Sequence, residues 1–169
     1  MRQSRLIALP LVLALVPLSA CQQQDAKQDA APASAPEAKP GLQLSEGRLV
    51  LPAVKGNPAA AYFKLDNSGS GSTSIAAIAI EGAAKSEVHQ TIADTMTAVD
   101  RIDVDPGSGL EFKPGELHVM AFDLDPKLVA GGVTEMTITF VDGDKLSAPL
   151  KIQSAGQANM GGMDHGSGH

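Results

Sequence analysis

The chain has 169 residues with 13 Lys or Arg, 19 Asp or Glu and a formal net charge of −6, which becomes about −8 once residues 1–20 are left out. This acidic balance, without any basic cluster, argues against nucleic acid as a partner. Only 3% of residues are aromatic and none is Trp, so a core has to be filled mainly by Val, Ile, Leu and Ala.

The N-terminus has the pattern of a secretion signal. Arg2 and Arg5 form a short basic region, residues 6–16 form an apolar core, and small residues follow. The apolar core is too short for a transmembrane helix and carries a proline. We therefore predict that residues 1–20 are a lipoprotein signal peptide and that the protein is exported.

Cys21 is the only cysteine in the chain and follows the predicted signal directly. The boundary Leu18-Ser19-Ala20-Cys21 resembles a bacterial lipobox, in which the cysteine is lipidated and becomes the first mature residue. A lone exported cysteine has no intramolecular disulfide partner, and lipidation explains its presence. We predict a protein anchored by lipid to a bacterial membrane, in the periplasm or cell envelope. The alternative is a plain signal peptide with an incidental cysteine.

Three further segments are predicted from composition. Residues 21–40 contain mostly Ala, Pro, Gln and charged residues, which cannot bury enough apolar surface to offset chain entropy, so they form a flexible tether. Residues 41–154 form one domain of ordinary size. Residues 155–169 are rich in Gly and are predicted to be a disordered tail.

Apolar residues recur mostly at every second position in the domain, which is typical of β-strands. The alternation is clearest in residues 62–66, 102–105 and 135–140. In the last run Met136 aligns with Ile138 and Phe140. We therefore predict that Met136 is a core residue.

Turn signals separate these runs: Asn67-Ser68-Gly69, Pro106-Gly107, Pro114-Gly115, Gly131-Gly132 and Asp142-Gly143. The last of them lies between the extended runs 133–141 and 145–152 and predicts a tight hairpin. Eight or nine short strands without a convincing amphipathic helix favour an antiparallel sandwich of two sheets. The predicted fold class is all-β.

His and Met residues fall into two groups, of which the first is the spaced set His89–x6–Met96–x21–His118–x–Met120. Thioether sulfur and neutral imidazole together suit Cu(I), a soft ion, better than Mg, Ca or Mn. On a strand His118 and Met120 point to the same face, so we predict that both project outward as half of a copper site. Taken singly, a Met in a strand is more often a core residue and a His a surface residue.

Residues 59–140 resemble the periplasmic copper chaperone family written PCuAC. The family pattern is a His, a Met about ten residues further on, and then Met–x21–His–x–Met, whose second part matches Met96, His118 and Met120 in full. Similar local contexts are Ala60-Ala61-Tyr62-Phe63-Lys64-Leu65-Asp66-Asn67, Val88-His89, Val99-Asp100 and Pro114-Gly115. Two departures are the six residues between His89 and Met96 and the Glu116 that replaces a usual Gly. We interpret the first as a shortened hairpin turn.

The resemblance implies a cupredoxin-like sandwich of Greek-key type that binds Cu(I) through His89, Met96, His118 and Met120. It also implies a chaperone that passes copper to a cuproprotein such as cytochrome c oxidase or one of its assembly factors. The chain would be a monomer, or an oligomer bridged by copper. Because imidazole protonates near pH ~6.5 whereas thioethers stay neutral, Cu(I) affinity is predicted to fall as the pH drops through that value.

The second group of soft ligands lies in the tail and consists of Met160, Met163, His165 and His169. We predict a second, flexible copper site here, which either captures Cu(II) or closes over the site on the sandwich. His and the carboxylate of Asp164 suit Cu(II), while the methionines suit Cu(I). The alternatives are a tail of accidental composition and part of an expression tag, although tags usually carry consecutive histidines.

The same residues argue against several other functions. A blue-copper electron carrier needs a Cys thiolate beside two His, and the only cysteine is Cys21 at the processing site. The sequence contains neither Gly-x-Ser-x-Gly nor His-Glu-x-x-His, so we predict that the chain is not an enzyme. Two alternatives stay open: a lipoprotein that buffers copper against toxicity, and a surface lipoprotein that binds protein or ligand without metal.

Overall fold

The structure, a computed structural model, describes residues 39–160 and their side chains up to residue 158. The predicted signal peptide, Cys21, most of the tether, and Met163, His165 and His169 lie outside the described residues. The elements in chain order are β1 (Leu42–Leu51), β2 (Ala59–Asn67), β3 (Thr73–Ile80), β4 (Ala83–Ile92), β5 (Thr95–Ala98), β6 (Ile102–Val104), β7 (Gly109–Phe112), β8 (Leu117–Leu124), β9 (Val133–Phe140), β10 (Lys145–Ser154) and α1 (Ala155–Met160).

The strands form one continuous sheet in the order β5-β4-β8-β2-β1-β10-β9-β3-β6, with β7 attached to β2. The all-β prediction is confirmed, with two corrections. Ten strands are present instead of eight or nine, and β5 and β7, with four residues each, are too short for alternation to reveal. In addition, β1 and β10 pair in parallel, whereas the other strand pairs of residues 39–160 are antiparallel.

One apolar core lies between the two halves of the sheet. The alternating residues of β2 behave as predicted, since Phe63 and Leu65 are buried while Asp66 is exposed. The rings of Phe63 and Phe112 stack with centroids 4.0 Å apart. Met136 is fully buried, which confirms it as a core residue. Burial of each such side chain contributes about 1.5–3 kcal/mol to folding.

The predicted hairpin at Asp142-Gly143 joins β9 to β10. Thr139 pairs with Lys145, and the Phe140 N–H donates to the Asp144 carbonyl at 2.9 Å. Gly143 has a φ of 88°, a left-handed conformation that glycine adopts without steric cost. The local turn signal was therefore sufficient to predict this hairpin.

β1 joins the two halves of the sheet through an irregularity at its centre. Its register with β2 shifts between Ser45 and Arg48, and only the part from Arg48 onward pairs with β10. At Gly47 a Cβ atom would lie 2.8 Å from the Pro149 carbonyl oxygen, so the close approach of the two strands requires glycine. A bulge of this kind lets one strand serve two layers of a sandwich.

A short helix, α1, follows β10 where the sequence analysis placed the start of a disordered tail. Ser154 and Gln157 form a capping box: the Ser154 N–H donates to Gln157 Oε1 at 2.9 Å, and the Gln157 N–H donates to Ser154 Oγ at 3.4 Å. The Ser-x-x-Gln signal was present in the sequence and was missed. Among residues 39–160, no helix has the length and apolar character needed to cross a bilayer.

Candidate metal centre

Strands β5, β4 and β8 lie side by side and carry all four residues of the spaced set. In the β4–β8 pair, His89 is directly opposite His118, and Glu87 is opposite Met120. In the β4–β5 pair, Met96 is opposite Thr91, two residues beyond His89. Directly opposed residues share a face, and so do residues two apart on one strand. The register therefore places His89, Met96, His118 and Met120 on the same face of this part of the sheet.

The other face of β8 packs into the core through Val119 and Ala121, which are both fully buried. This agrees with the prediction that His118 and Met120 point away from the core. His118 is nevertheless shielded from solvent, with a relative accessibility of only 5%. His118 lies on an interior strand of the sheet beside His89, and its surroundings shield it from water.

The two histidines are brought close together. The ring centroids of His89 and His118 are 6.1 Å apart, with the ring planes inclined at 34°. The residues are far apart in the sequence and become neighbours only through the β4–β8 register. Two imidazoles in this arrangement can turn lone pairs toward a shared point, and neutral imidazole is a common metal ligand.

A hydrogen bond fixes the tautomer of the neutral His118 ring. Nδ1 lies 2.8 Å from the Glu116 carbonyl oxygen. Because a carbonyl only accepts, Nδ1 carries the hydrogen and Nε2 of the neutral ring carries the lone pair. Metal-binding histidines commonly make such a bond with the nitrogen that does not bind the metal.

His89 is held by a carboxylate instead. Its Nε2 lies 3.3 Å from Glu87 Oε2, and its Nδ1 is buried without a hydrogen-bond partner in the described structure. A buried polar atom left unpaired costs about 1–3 kcal/mol. The hydrogen bond from Lys85 and, after it, the one from His89 lower the pKa of Glu87, which keeps the carboxylate ionised.

Glu87 was not predicted as part of the site. The signal that could have revealed it is the Glu-x-His spacing on a strand, which puts both side chains on one face.

The two methionines flank the histidine pair from opposite directions along the strands. Met120 is half-buried, two residues from His118 and opposite Ala60 of β2. Met96 is 51% exposed on the edge strand β5. Ideal sheet spacings put its Cα about 8 Å from that of His89 and about 12 Å from that of His118. The structure thus groups His89, His118 and Met120, and places Met96 at the margin of the site.

The turn between β4 and β5 has only two residues. Ile92 pairs with Thr95, and the intervening Ala93 and Asp94 have φ values of 47° and 64°. Two consecutive positive φ values are typical of the type I′ turn of tight hairpins. A tight hairpin therefore joins the strands that carry His89 and Met96, as the interpretation of their short spacing requires.

Within residues 39–160, no group of three or more His, Cys, Asp or Glu side chains could hold a metal ion. A metal at the histidine pair would therefore need a further ligand of another residue type, and Met120 and Met96 are on the same face. The donor set that results contains imidazole and thioether, which fits Cu(I).

The fold and the histidine pair define the class of this chain, which is an all-β cupredoxin-like domain with His and Met side chains on one face of its sheet. The chain belongs to the family described as putative LpqE-like lipoproteins, whose family model matches residues 42–152. A curated relative, the putative lipoprotein Lxx21020 of Leifsonia xyli subsp. xyli, is 28% identical over 124 residues, which are 70% of this chain and 74% of the relative.

Similar solved structures confirm the cupredoxin-like fold. The copper-bound PCuAC domain from PmoF2 is 20% identical with a TM-score of 0.60, over 71% of this chain and 98% of that domain. The Cu(I)-bound protein DR1885 from Deinococcus radiodurans is 20% identical with a TM-score of 0.57, over 69% of this chain and 80% of that protein. The family is described as putative lipoproteins, and these two solved structures are described as copper-bound.

Proposed function

We propose that the protein is an exported copper chaperone that binds Cu(I) through His89, His118, Met120 and Met96. The observation that supports this most directly is the β4–β8 register, which sets His89 opposite His118 with Met120 on the same face. The fold similarity to copper-bound PCuAC domains adds to it. Thioethers and neutral imidazoles carry no charge, so the site holds a cuprous ion less tightly than thiolates would and can release it.

The acceptor in this proposal is a cuproprotein such as cytochrome c oxidase or one of its assembly factors. Met96 on the edge strand would be the ligand most accessible to an acceptor, because it is the most exposed of the four. A carrier needs one ligand that can be exchanged while the remaining ligands still hold the ion. Met96 fits that role better than the buried His118.

The proposal includes attachment to a membrane through a lipid on Cys21, which places the domain in the periplasm or cell envelope. Membership in a family of putative lipoproteins supports this part. The tail residues Met160, Met163, His165 and His169 are proposed as a second copper site that accepts Cu(II) or Cu(I).

Alanine substitutions at the site test copper binding. In a chain ending at residue 160, without Met163, His165 and His169, we expect His118→Ala and Met120→Ala each to lower Cu(I) affinity at least tenfold, or ~1.4 kcal/mol. Adding Met96→Ala to both should abolish binding. Anaerobic competition with a chromophoric Cu(I) chelator measures the affinity.

Two controls match these variants. Ile92→Ala removes an exposed apolar side chain from the opposite face of the same hairpin, and Met136→Leu removes a thioether from the core at nearly constant volume. Both should keep wild-type Cu(I) affinity. Retention of Cu(I) binding in the triple variant would contradict the proposal and favour a lipoprotein that binds a ligand without metal.

A transfer experiment separates a donor from a buffer. The Cu(I)-loaded protein is mixed with an apo-oxidase subunit or an apo-assembly factor, and copper is measured on each after separation. Net movement of copper to the acceptor supports the chaperone role. Retention of copper by the loaded protein identifies a buffering lipoprotein instead.

A further inference from the structure

The two histidines of the candidate site present opposite ring nitrogens to their hydrogen-bond partners. His118 is held through Nδ1, which lies 2.8 Å from a backbone carbonyl. His89 is held through Nε2, which lies 3.3 Å from the carboxylate of Glu87. The atom left without a partner therefore differs between the rings: it is Nδ1 in His89, and this atom is buried.

The chemistry of the partners determines the tautomers. An ionised carboxylate has no hydrogen to donate, so the Glu87 contact requires a hydrogen on Nε2 of His89. The lone pair of the neutral ring is then on Nδ1. Glu87 itself is anchored by Lys85, whose Nζ lies 2.6 Å from Glu87 Oε1. Lys85, Glu87 and His89 alternate along β4 on one face, so the strand aligns the chain of contacts.

We propose that Glu87 is a positioning residue that makes His89 a copper ligand through Nδ1, whereas His118 binds through Nε2. This inference rests on the proposed function and specifies which atoms carry it out. A bound Cu(I) ion would give Nδ1 of His89 the partner that this buried atom lacks.

Imidazole nitrogen NMR on the full mature chain tests the assignment, with Cu(I) itself as the probe under anaerobic conditions. Without copper, long-range proton–nitrogen correlation should show His89 with its hydrogen on Nε2 and His118 with its hydrogen on Nδ1. With one equivalent of Cu(I), the resonances that shift should be Nδ1 of His89 and Nε2 of His118. Four variants, each with one His replaced by Gln, assign the nitrogen resonances to the four histidine rings of the chain.

The variants Glu87→Ala and Glu87→Gln test the role of the carboxylate. Loss of a partner that orients a ligand typically lowers metal affinity roughly 10–100-fold, and we expect this for Glu87→Ala. Glu87→Gln should restore part of the affinity because its amide oxygen still accepts from Nε2. The charge-matched control is Glu111→Gln, which removes an exposed carboxylate paired with Lys113 on β7, a strand that pairs with β2, and should leave affinity and nitrogen shifts unchanged.

The outcomes separate this inference from the proposed function. A Cu(I)-dependent shift at Nε2 of His89, or Glu87→Ala with wild-type affinity and wild-type nitrogen shifts, would overturn the positioning role while copper binding stands. If Cu(I) shifts neither His89 nor His118, the copper site is wrong and the assignment fails with it.

Discussion

Met120 and Met136 show how one residue type takes different roles on two strands of the same sheet. Met136 alternates with the core residues Ile138 and Phe140 and is fully buried. Met120 is on the opposite side of β8 from the core residues Val119 and Ala121, next to the histidine pair. Strand parity distinguishes the two, and parity can be read from the sequence because it depends only on adjacent residues.

Gly47 is the single residue on which the close approach of β1 and β10 depends most directly. Gly47→Ala would place Cβ 2.8 Å from a backbone oxygen of Pro149 and 2.9 Å from Leu150 Cδ2. We expect this substitution to destabilise the fold by about 1–3 kcal/mol through overpacking. Urea unfolding followed by circular dichroism measures the loss.

Gly71→Ala is the matched control for this glycine, because nothing lies within 4 Å of the position that its Cβ would take. Its free energy of unfolding should stay within about 0.5–1 kcal/mol of the wild-type value. Equal urea midpoints for the two alanine variants would show that β1 and β10 do not need the close approach at Gly47.

At the scale of elements, the β4–β5 hairpin determines where Met96 lies. Its turn is formed by Ala93 and Asp94, both in the left-handed region. Alanine is poorly suited to this conformation, whereas Asn adopts it more readily. The short turn therefore carries a local conformational cost. The register that it sets places Met96 on the same face as His89.

Ala93→Asn should stabilise the domain by about 0.5–1 kcal/mol, since Asn-rich type I′ turns match the twist of the strands. Ala79→Asn on β3 is the control: Ala79 is also exposed but pairs with Thr137 in a regular strand, where Asn is disfavoured. Thermal unfolding of both variants gives the comparison. A decrease in Tm for Ala93→Asn would contradict the assigned turn conformation.

At the scale of the whole molecule, the first described residue is tied to the hairpin between β9 and β10. The Lys39 ammonium forms ion pairs with Asp142 and Asp144 and lies 4.8 Å from the centroid of the Phe140 ring. These contacts join the residue that precedes β1 to the hairpin between the last two strands of the domain. The hydrogen bond from Lys39 lowers the pKa of Asp142.

This lowered pKa predicts a pH dependence of stability with a definite sign. A carboxyl whose pKa is lower in the folded than in the unfolded state stabilises the fold above its unfolded value of about 3.9. That stabilisation is lost as the pH falls through the lower, folded value. Asp142→Asn should therefore be less stable than wild type at pH 7, and the difference should vanish as the pH is lowered to about 2–3.

Urea unfolding at several pH values measures this difference, with Asp100→Asn as the control. Asp100 is exposed and forms no ion pair among residues 39–160, so its substitution should give no comparable change with pH. A constant difference between Asp142→Asn and wild type from pH 7 to pH 3 would show that Lys39 does not stabilise the ionised carboxylate.

Sequence alone was enough to predict the strands with clear alternation, the Asp142-Gly143 hairpin, the core position of Met136 and the shared face of His118 and Met120. All of these depend on residues close together in the chain. The capping box of Ser154 and Gln157 was equally local, and it was overlooked because the Gly content of the tail indicated disorder.

The pairing of β4 with β8 could not be derived in the same way, and the site depends on it. His89 becomes the neighbour of His118 only when two distant strands adopt one register, and the same register buries His118 and aligns Glu87 with Met120. The parallel contact between β1 and β10 joins opposite ends of the domain in the same manner. Alternation in the sequence indicates on which face of a strand a side chain lies. The register between strands depends on the packing of the complete core, to which every strand contributes.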